Sequence, residues 1–259
     1  MKIDLRTAKN RFFPNPSFEM IYSEAMANAL DANASALHID ISIDSFDNPD
    51  SLTIQIQDNG EGFLDENYSR FCSLMNAVDK SHKGLGRLVY LKYFSTIEFE
   101  SIFQKNQKFK KRVFTFNEKF DGEKKDQELD GANSTGASLL FKSFCNEQLK
   151  TYDNVVPGAI KTYLVNYFLP RLYTIKQSGK EFELTISLRT QKENKDKNFV
   201  NSEEGFSLNE LPPLREKVLI NQELDLFQSE FKLMYYIDAS YNTERKNVTA
   251  ICIDDRAIE

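Results

Sequence analysis

Residues 24–32 read Glu24-Ala25-Met26-Ala27-Asn28-Ala29-Leu30-Asp31-Ala32, and the spacing of their polar side chains sets the first constraint on the fold. At 100° per residue, Glu24, Asn28 and Asp31 fall within a helical sector of about 60°. Upstream, Asn15 suits a helix cap and Pro16 the first helical position, where its missing N–H would find no partner anyway. Phe18, Ile21, Tyr22, Ala25 and Ala29 recur at helical spacing, which predicts a helix from Pro16 to Ala32 with a buried stripe. The polar sector lies beside that stripe rather than opposite it. A carboxylate and an amide at the edge of a buried face are expensive unless they have partners. The helix alone leaves two readings open, an ordinary polar edge or a site.

Further along, Leu37, Ile39, Ile41 and Ile43 alternate, as do Leu52, Ile54 and Ile56, so two strands are joined by the turn-rich stretch 45–50. The second strand runs into Asp58-Asn59-Gly60-Glu61-Gly62. Asp58 ends a half-buried strand, where its carboxylate can accept from an amino group lying flat in a pocket. Gly60 and Gly62 let the backbone approach a flat ring, or change direction, without a Cβ clash. Alone, this is a common kind of turn. A third element, Lys83-Gly84-Leu85-Gly86-Arg87, leads into an apolar helix over 88–94. Successive N–H groups at a glycine-rich helix start form an anion site, and Lys83 and Arg87 can add cationic contacts to phosphate. Each element is weak evidence by itself. All three in this order point to a nucleotide.

Strands are predicted over 96–103, 109–117, 137–144 and 182–188, with a helix over 156–176 interrupted by Pro170. The mixed, polar stretch 65–83 separates the glycine turn from the third element, and the charged stretch 121–134 reads as a surface loop. A solvated charge run over 191–198 marks a linker or long turn, followed by strands over 231–237 and 248–253. This order predicts an α+β sandwich, one mixed sheet with helices on one face.

The chain resembles the GHKL superfamily of gyrase-type topoisomerases, heat-shock-ninety chaperones, histidine kinases and mismatch-repair MutL. Residues 24–32 look like the motif Glu-x-x-x-Asn-Ala-x-Asp-Ala, residues 58–63 like Asp-x-Gly-x-Gly, and Gly84-Leu85-Gly86 like the lid glycines. Ser134-Thr135-Gly136-Ala137-Ser138-Leu139-Leu140-Phe141 is similar to the fourth motif. Ala137 departs from it, standing where the family has a threonine that supports the adenine-binding aspartate; Thr135 or Ser138 is left to supply a hydroxyl. The resemblance is closest over 15–145. It implies a Bergerat-type two-layer sandwich with a mostly antiparallel sheet, forming an ATP-binding domain over 1–190. Residues 191–259 would then be a linker and the beginning of a transducer-like domain in a longer protein.

The same resemblance implies ATP and Mg²⁺ as cofactors. Glu24 becomes the general base for an attacking water, Asn28 the Mg²⁺ ligand and Asp58 the acceptor for the adenine amino group. Gly60 and Gly62 shape the base pocket; Lys83, Gly84, Gly86, Arg87 and Thr135 complete the nucleotide contacts. Asp31 is either support for the helix or structural. The segment 63–83 becomes a lid whose closure drives conformational change and ATP-dependent homodimerisation, and the lysine that meets the γ-phosphate is expected in a transducer loop beyond Glu259. The alternative is a non-hydrolysing ATP-sensing module. Histidine-kinase chemistry fits worse, because His38 and His82 are the two histidines and no upstream helix carries a phosphoacceptor.

Composition bounds these readings. With 41% hydrophobic and 28% charged residues, 21 Phe and 11 Tyr, the chain can build a sizeable core without disulfides. A net charge of -6 offers no global basic field, so nucleic acid is not indicated. Cys72, Cys145 and Cys252 share no metal-ligand spacing and read as reduced thiols. No stretch reads as a signal peptide or membrane span, and the expected location is cytoplasmic.

Overall fold

The computed structural model describes residues 4–72, 85–145, 149, 151–190 and 201–211 in full, with the backbone of strands at 214–222, 231–238, 251–253 and 256–258. Helix α1 (Leu5–Phe12) precedes α2 (Met20–Asp31), the strands β1 (Ala36–Ile43) and β2 (Thr53–Asp58), and α3 (Asp65–Cys72). A 3-10 turn over Gly86–Val89 opens into the single-turn α4 (Tyr90–Tyr93). Then come β3 (Phe94–Lys105), β4 (Lys108–Phe116), β5 (Lys125–Leu129), β6 (Gly136–Phe144), α5 (Pro157–Tyr167), α6 (Leu169–Gln177), β7 (Glu183–Thr190) and β8 (Ser202–Ser207).

These strands form one sheet in the order β5-β4-β3-β6-β2-β1-β7-β8. Every neighbouring pair is antiparallel except β1 with β7, which run parallel. The mixed, mostly antiparallel sheet of an α+β sandwich is therefore present as the sequence predicts. Two further pairs, β9 (Leu214–Gln222) with β10 (Phe231–Asp238) and β11 (Ile251–Ile253) with β12 (Arg256–Ile258), stand outside it. β8 joins the main sheet through β7, so the sheet takes in residues on both sides of position 190.

The strands bury alternate residues because successive side chains point to opposite faces. Leu37, Ile39, Ile41 and Ile43 of β1 are buried while His38 is exposed. The core joins them to Ile160, Leu164 and Leu172 of α5 and α6 and to the inner residues of α2. Phe18 meets Tyr93, Phe94 and Phe144 edge-on or tilted, with ring centroids 5.0–6.5 Å apart, and so ties the entry to α2 onto β3 and β6. Among the described residues no helix is long and apolar enough to cross a membrane.

Several elements differ from the sequence reading, each for a local reason. α2 begins at Met20 rather than Pro16. The N–H groups of Met20, Ile21 and Tyr22 donate to Ser17, Phe18 and Glu19, a tighter turn than an α-helix, and the Pro16 carbonyl accepts from the Tyr93 hydroxyl. Asn15 and Pro16 therefore stand ahead of the helix instead of capping it. The predicted helix over 156–176 divides at Phe168, two residues before Pro170, which sits in the first turn of α6.

No helix or strand is predicted at α1, α3, β5, β8, β9 or β12. α1 is secured by its Asp4 cap, which accepts from Arg6 N–H at 3.1 Å. β5, inside the stretch read as a loop, is an edge strand of charged residues held by pairing. Arg112, fully buried on β4, donates to Asp126 of β5 at 2.8 and 2.9 Å and to Asp65 of α3 at 2.5 Å. Its guanidinium also lies over the rings of Tyr68 and Phe103.

Candidate nucleotide-binding site

α2 is covered on almost every side. Ile21, Tyr22, Ser23, Ala25, Met26, Ala27, Ala29 and Leu30 are buried, which leaves Met20, Glu24, Asn28 and Asp31 as the residues not enclosed. Those positions are four, four and three apart, so they trace one line along the helix. The opening in the protein around α2 thus coincides with the polar sector seen in the sequence. Glu24 is half-buried, and Asn28 and Asp31 are exposed.

The two ends of this line have different surroundings. At the C-terminal end, Asp31 pairs with Arg171 of α6 at 2.7 Å, an ion pair that fastens α2 to α6. Of the two roles open for Asp31, this contact is the structural one. At the other end the Glu24 carboxylate lies against Gly86. A Cβ on Gly86 would sit 1.9 Å from Glu24 Oε2 and 2.4 Å from Oε1, so only glycine leaves room for the acid. This gives Gly86 a role that a phosphate-wrapping loop does not require.

The glycine turn is fastened to the end of α2. Glu61 N–H donates to the Ala32 carbonyl at 2.9 Å, and Asn59 Oδ1 accepts from the N–H groups of Ser35 and Ala36, both at 2.9 Å. Gly60 packs so closely that a Cβ would meet the Ala32 carbonyl at 2.7 Å. Gly62 adopts φ 73°, which disfavours L side chains, and a Cβ there would meet the Ile102 carbonyl at 2.3 Å. The turn is therefore clamped between α2 and β3.

Asp58 sits inside this clamp at the end of β2. Its Oδ1 accepts from Gly60 N–H at 2.8 Å. Burial raises its pKa, while hydrogen bonds from the Gly60 and Ala137 backbone N–H groups pull the other way. Ala137 lies directly across from Asp58 in the β2–β6 pairing. The Gly60 N–H thus makes the hydrogen bond that holds the aspartate, with the Ala137 backbone alongside and no threonine hydroxyl at that position. Ser138, one of the two hydroxyls considered for that task, instead accepts from Gln55 Nε2 at 3.3 Å. Thr135 is half-buried in the approach to β6.

Lys83, Gly84 and His82 lie outside the described residues, as do residues 73–81 of the expected lid. Arg87 is described, and its guanidinium lies 4.6 Å over the Phe71 ring. Burial lowers its pKa to about 10, although the fields of Cys72, Tyr90 and Glu24 oppose the fall. Tyr90 begins α4 four residues after Gly86. Its hydroxyl is buried and meets no partner at hydrogen-bonding geometry, although the Asn28 side chain stands near enough to favour its ionisation. Burial and the Glu24 carboxylate push its pKa up.

Sequence reasoning missed several residues that build this site. Gly136 is one: a Cβ there would meet the Asp58 carbonyl at 2.3 Å. Ser101, buried on β3, accepts from Phe63 N–H at 2.7 Å and donates to the Gly136 carbonyl at 3.1 Å. It thereby joins the exit of the glycine turn to β6. Arg112 donates to the Phe63 carbonyl at 2.8 Å. The glycine of the fourth motif was a legible signal; the serine and arginine had none in sequence.

The exposed Asn28 carboxamide, one turn from the half-buried Glu24, offers an oxygen of the kind a hard divalent ion takes. Among the described residues no group of three His, Cys, Asp or Glu converges as a separate metal site. A divalent ion at Asn28 would take its remaining oxygens from the nucleotide and water.

No curated protein matches the chain. Among solved structures it is similar to a crystal structure of the N-terminal domain of a DNA repair protein, at 14% identity and TM-score 0.44, over 90% of this chain and 70% of that one. The family model of histidine kinase-, DNA gyrase B- and HSP90-like ATPases matches residues 15–118, which span α2, the Asp58 turn, Gly86 and Tyr90.

Proposed function

We propose that the chain binds ATP with Mg²⁺ along the open line of α2 and hydrolyses it, with Glu24 as general base. The observation that carries this reading is the coincidence of three features: the unenclosed line of α2 holds Glu24 and Asn28, Gly86 leaves space for the Glu24 acid, and the Asp58 turn is clamped to the end of the same helix. Asp58 accepts the adenine amino group, with Gly60 and Gly62 holding the turn against the base. Asn28 offers its carboxamide oxygen to Mg²⁺. When bound, the ion neutralises charge on the phosphates and orients them. Glu24 holds the proton taken from water, and its place against Gly86 restricts its rotamers.

Lys83, Gly84, Gly86 and Arg87 close over the phosphates, and Thr135, just ahead of β6, adds a contact to the nucleotide. Closure of the segment 63–83 over ATP excludes water and favours a closed state. Homodimerisation driven by that closure, a cytoplasmic setting, and a transducer-like unit within 191–259 complete the proposal. The separate pairing of β9–β10 and β11–β12 supports the last of these.

The test compares the wild-type chain with Glu24→Ala by calorimetry with ATP and by phosphate release. Binding by both, with turnover in the wild type alone, is expected. Equal residual turnover in the two would leave the non-hydrolysing ATP-sensing module as the function. No ATP binding by folded wild-type protein would remove both readings.

A further inference from the structure

Tyr90 is 1% exposed, and its hydroxyl is a buried polar side-chain group without a partner at hydrogen-bonding geometry. Such a group loses its water without gaining a substitute, and proteins keep few of them unless another state supplies the missing bond. The ring is well packed, meeting Phe141 edge-on at 5.0 Å and 90°. Apolar packing therefore explains the ring and leaves the hydroxyl unexplained. Phenylalanine would fill the same space.

The position of the hydroxyl is specific. Tyr90 opens α4 directly after the 3-10 turn that begins at Gly86, the glycine against which the Glu24 carboxylate lies. The Glu24 carboxylate acts on it through its charge, and the Asn28 side chain as a neighbouring hydrogen-bonding group that favours the phenolate. One phenol thus stands beside both α2 residues assigned to chemistry. A phenol has one donor and can also accept. A carboxamide has two unlike ends: the oxygen binds hard cations, whereas the NH₂ group is a donor and ligates poorly. An asparagine that must present oxygen to a metal therefore needs something to hold its NH₂ end.

We propose that Tyr90 is a positioning residue for Asn28: its hydroxyl oxygen accepts from Asn28 Nδ2 as nucleotide binds, which turns the Asn28 carboxamide oxygen outward to the cation. The phenolic proton rotates toward the Glu24 carboxylate, whose negative field favours that orientation. Tyr90 then links the metal-contacting residue to the general base. This assignment rests on the reading of Asn28 as the Mg²⁺ contact.

The test measures ADP affinity calorimetrically with Mg²⁺ and with EDTA on the whole chain, for wild type, Tyr90→Phe, Asn28→Ala and Asn28→Asp, with a thermal melt of each. Tyr90→Phe should keep or raise the melting midpoint, bind ADP within about twofold of wild type in EDTA, and lose about tenfold in the presence of Mg²⁺. Asn28→Asp supplies an oxygen but no N–H for Tyr90. In that background Tyr90→Phe should cost less than about twofold, a non-additivity that a merely structural tyrosine would not produce.

A Tyr90→Phe variant with the full wild-type Mg²⁺ effect would overturn the proposal, as would an equal loss in both backgrounds. Asn28→Ala separates the levels. If it too keeps the Mg²⁺ effect, the role of Asn28 itself fails; if it abolishes that effect while Tyr90→Phe keeps it, only the Tyr90 assignment fails. Should Tyr90→Phe not fold, Asn28→Gln keeps the carboxamide but displaces it; an unchanged Mg²⁺ effect there would equally overturn the positioning.

Discussion

Replacing Gly86 with alanine separates the site's chemistry from the stability of the fold. A Cβ at this position would sit 1.9 Å from Glu24 Oε2, whereas real Cβ contacts essentially never fall below 3.0 Å. The Glu24 carboxylate must therefore retreat by about 1 Å, and a displacement of that size commonly costs about 100-fold in rate. Stability should barely suffer, because the obstructing atoms belong to the end of a flexible side chain and Gly86 needs no positive φ. A loss under about 1 kcal/mol, or about 2–4 °C in melting midpoint, is expected. The assay is steady-state phosphate release with ATP affinity measured in parallel. Gly86→Ala should bind ATP within about threefold of wild type while turnover falls about 100-fold. Unchanged turnover in folded protein would refute the reasoning, since the base would then not depend on that packing.

Gly62→Ala should behave in the opposite way. Its φ of 73° and a Cβ position 2.3 Å from the Ile102 carbonyl put the conflict in backbone, so a loss of about 3 kcal/mol is expected in urea unfolding. Asp58→Asn removes a buried charge. The raised pKa of Asp58 means that its unfavourable contribution is absent below the ordinary aspartate value and grows as pH rises through the folded value. The variant should therefore melt higher than wild type at neutral pH, with the gap closing in acid, while ATP affinity falls about 10–100-fold from the lost charged acceptor. Arg112→Met should cost about 2–4 kcal/mol at neutral pH, less than a fully buried pair because Asp65 and Asp126 are partly exposed. Arg112 lowers the Asp126 pKa to about 2, so this contribution is complete above 3.8 and is lost as pH falls through about 2; acid unfolding curves of wild type and variant should converge over that interval.

Much of the sheet was legible because burial imposes a period on the sequence. β1, β2 and β6 alternate apolar residues toward one covered face, and their spacing needs no knowledge of partners. α2 was legible for a related reason, although its entry was not. Asn15 and Pro16 have the right chemistry for a helix start, but the contact of Tyr93 with the Pro16 carbonyl sets where the chain turns. β5 and α3 have no such period. β5 exists because Arg112 and Lys108 pair with Asp126 and Glu128 across the strand boundary. α3 exists because Phe71 and Tyr68 fill the face of Phe99 and Phe114.

Residue types and their spacing determined that an acid and an amide share one helical edge, that an aspartate leads into a glycine turn, and that a basic Gly-x-Gly follows. These are local facts, set by the helical and strand repeats. Tertiary structure decided the rest: that enclosure of α2 stops at the same edge, that Gly86 yields its missing Cβ to Glu24, and that backbone N–H supports Asp58 where a threonine was absent. It also turned Arg112 inward from a run of surface-like cations. The physical reason is that burial and hydrogen-bond partnership depend on which distant segments meet, and a side chain's type states only what it can offer.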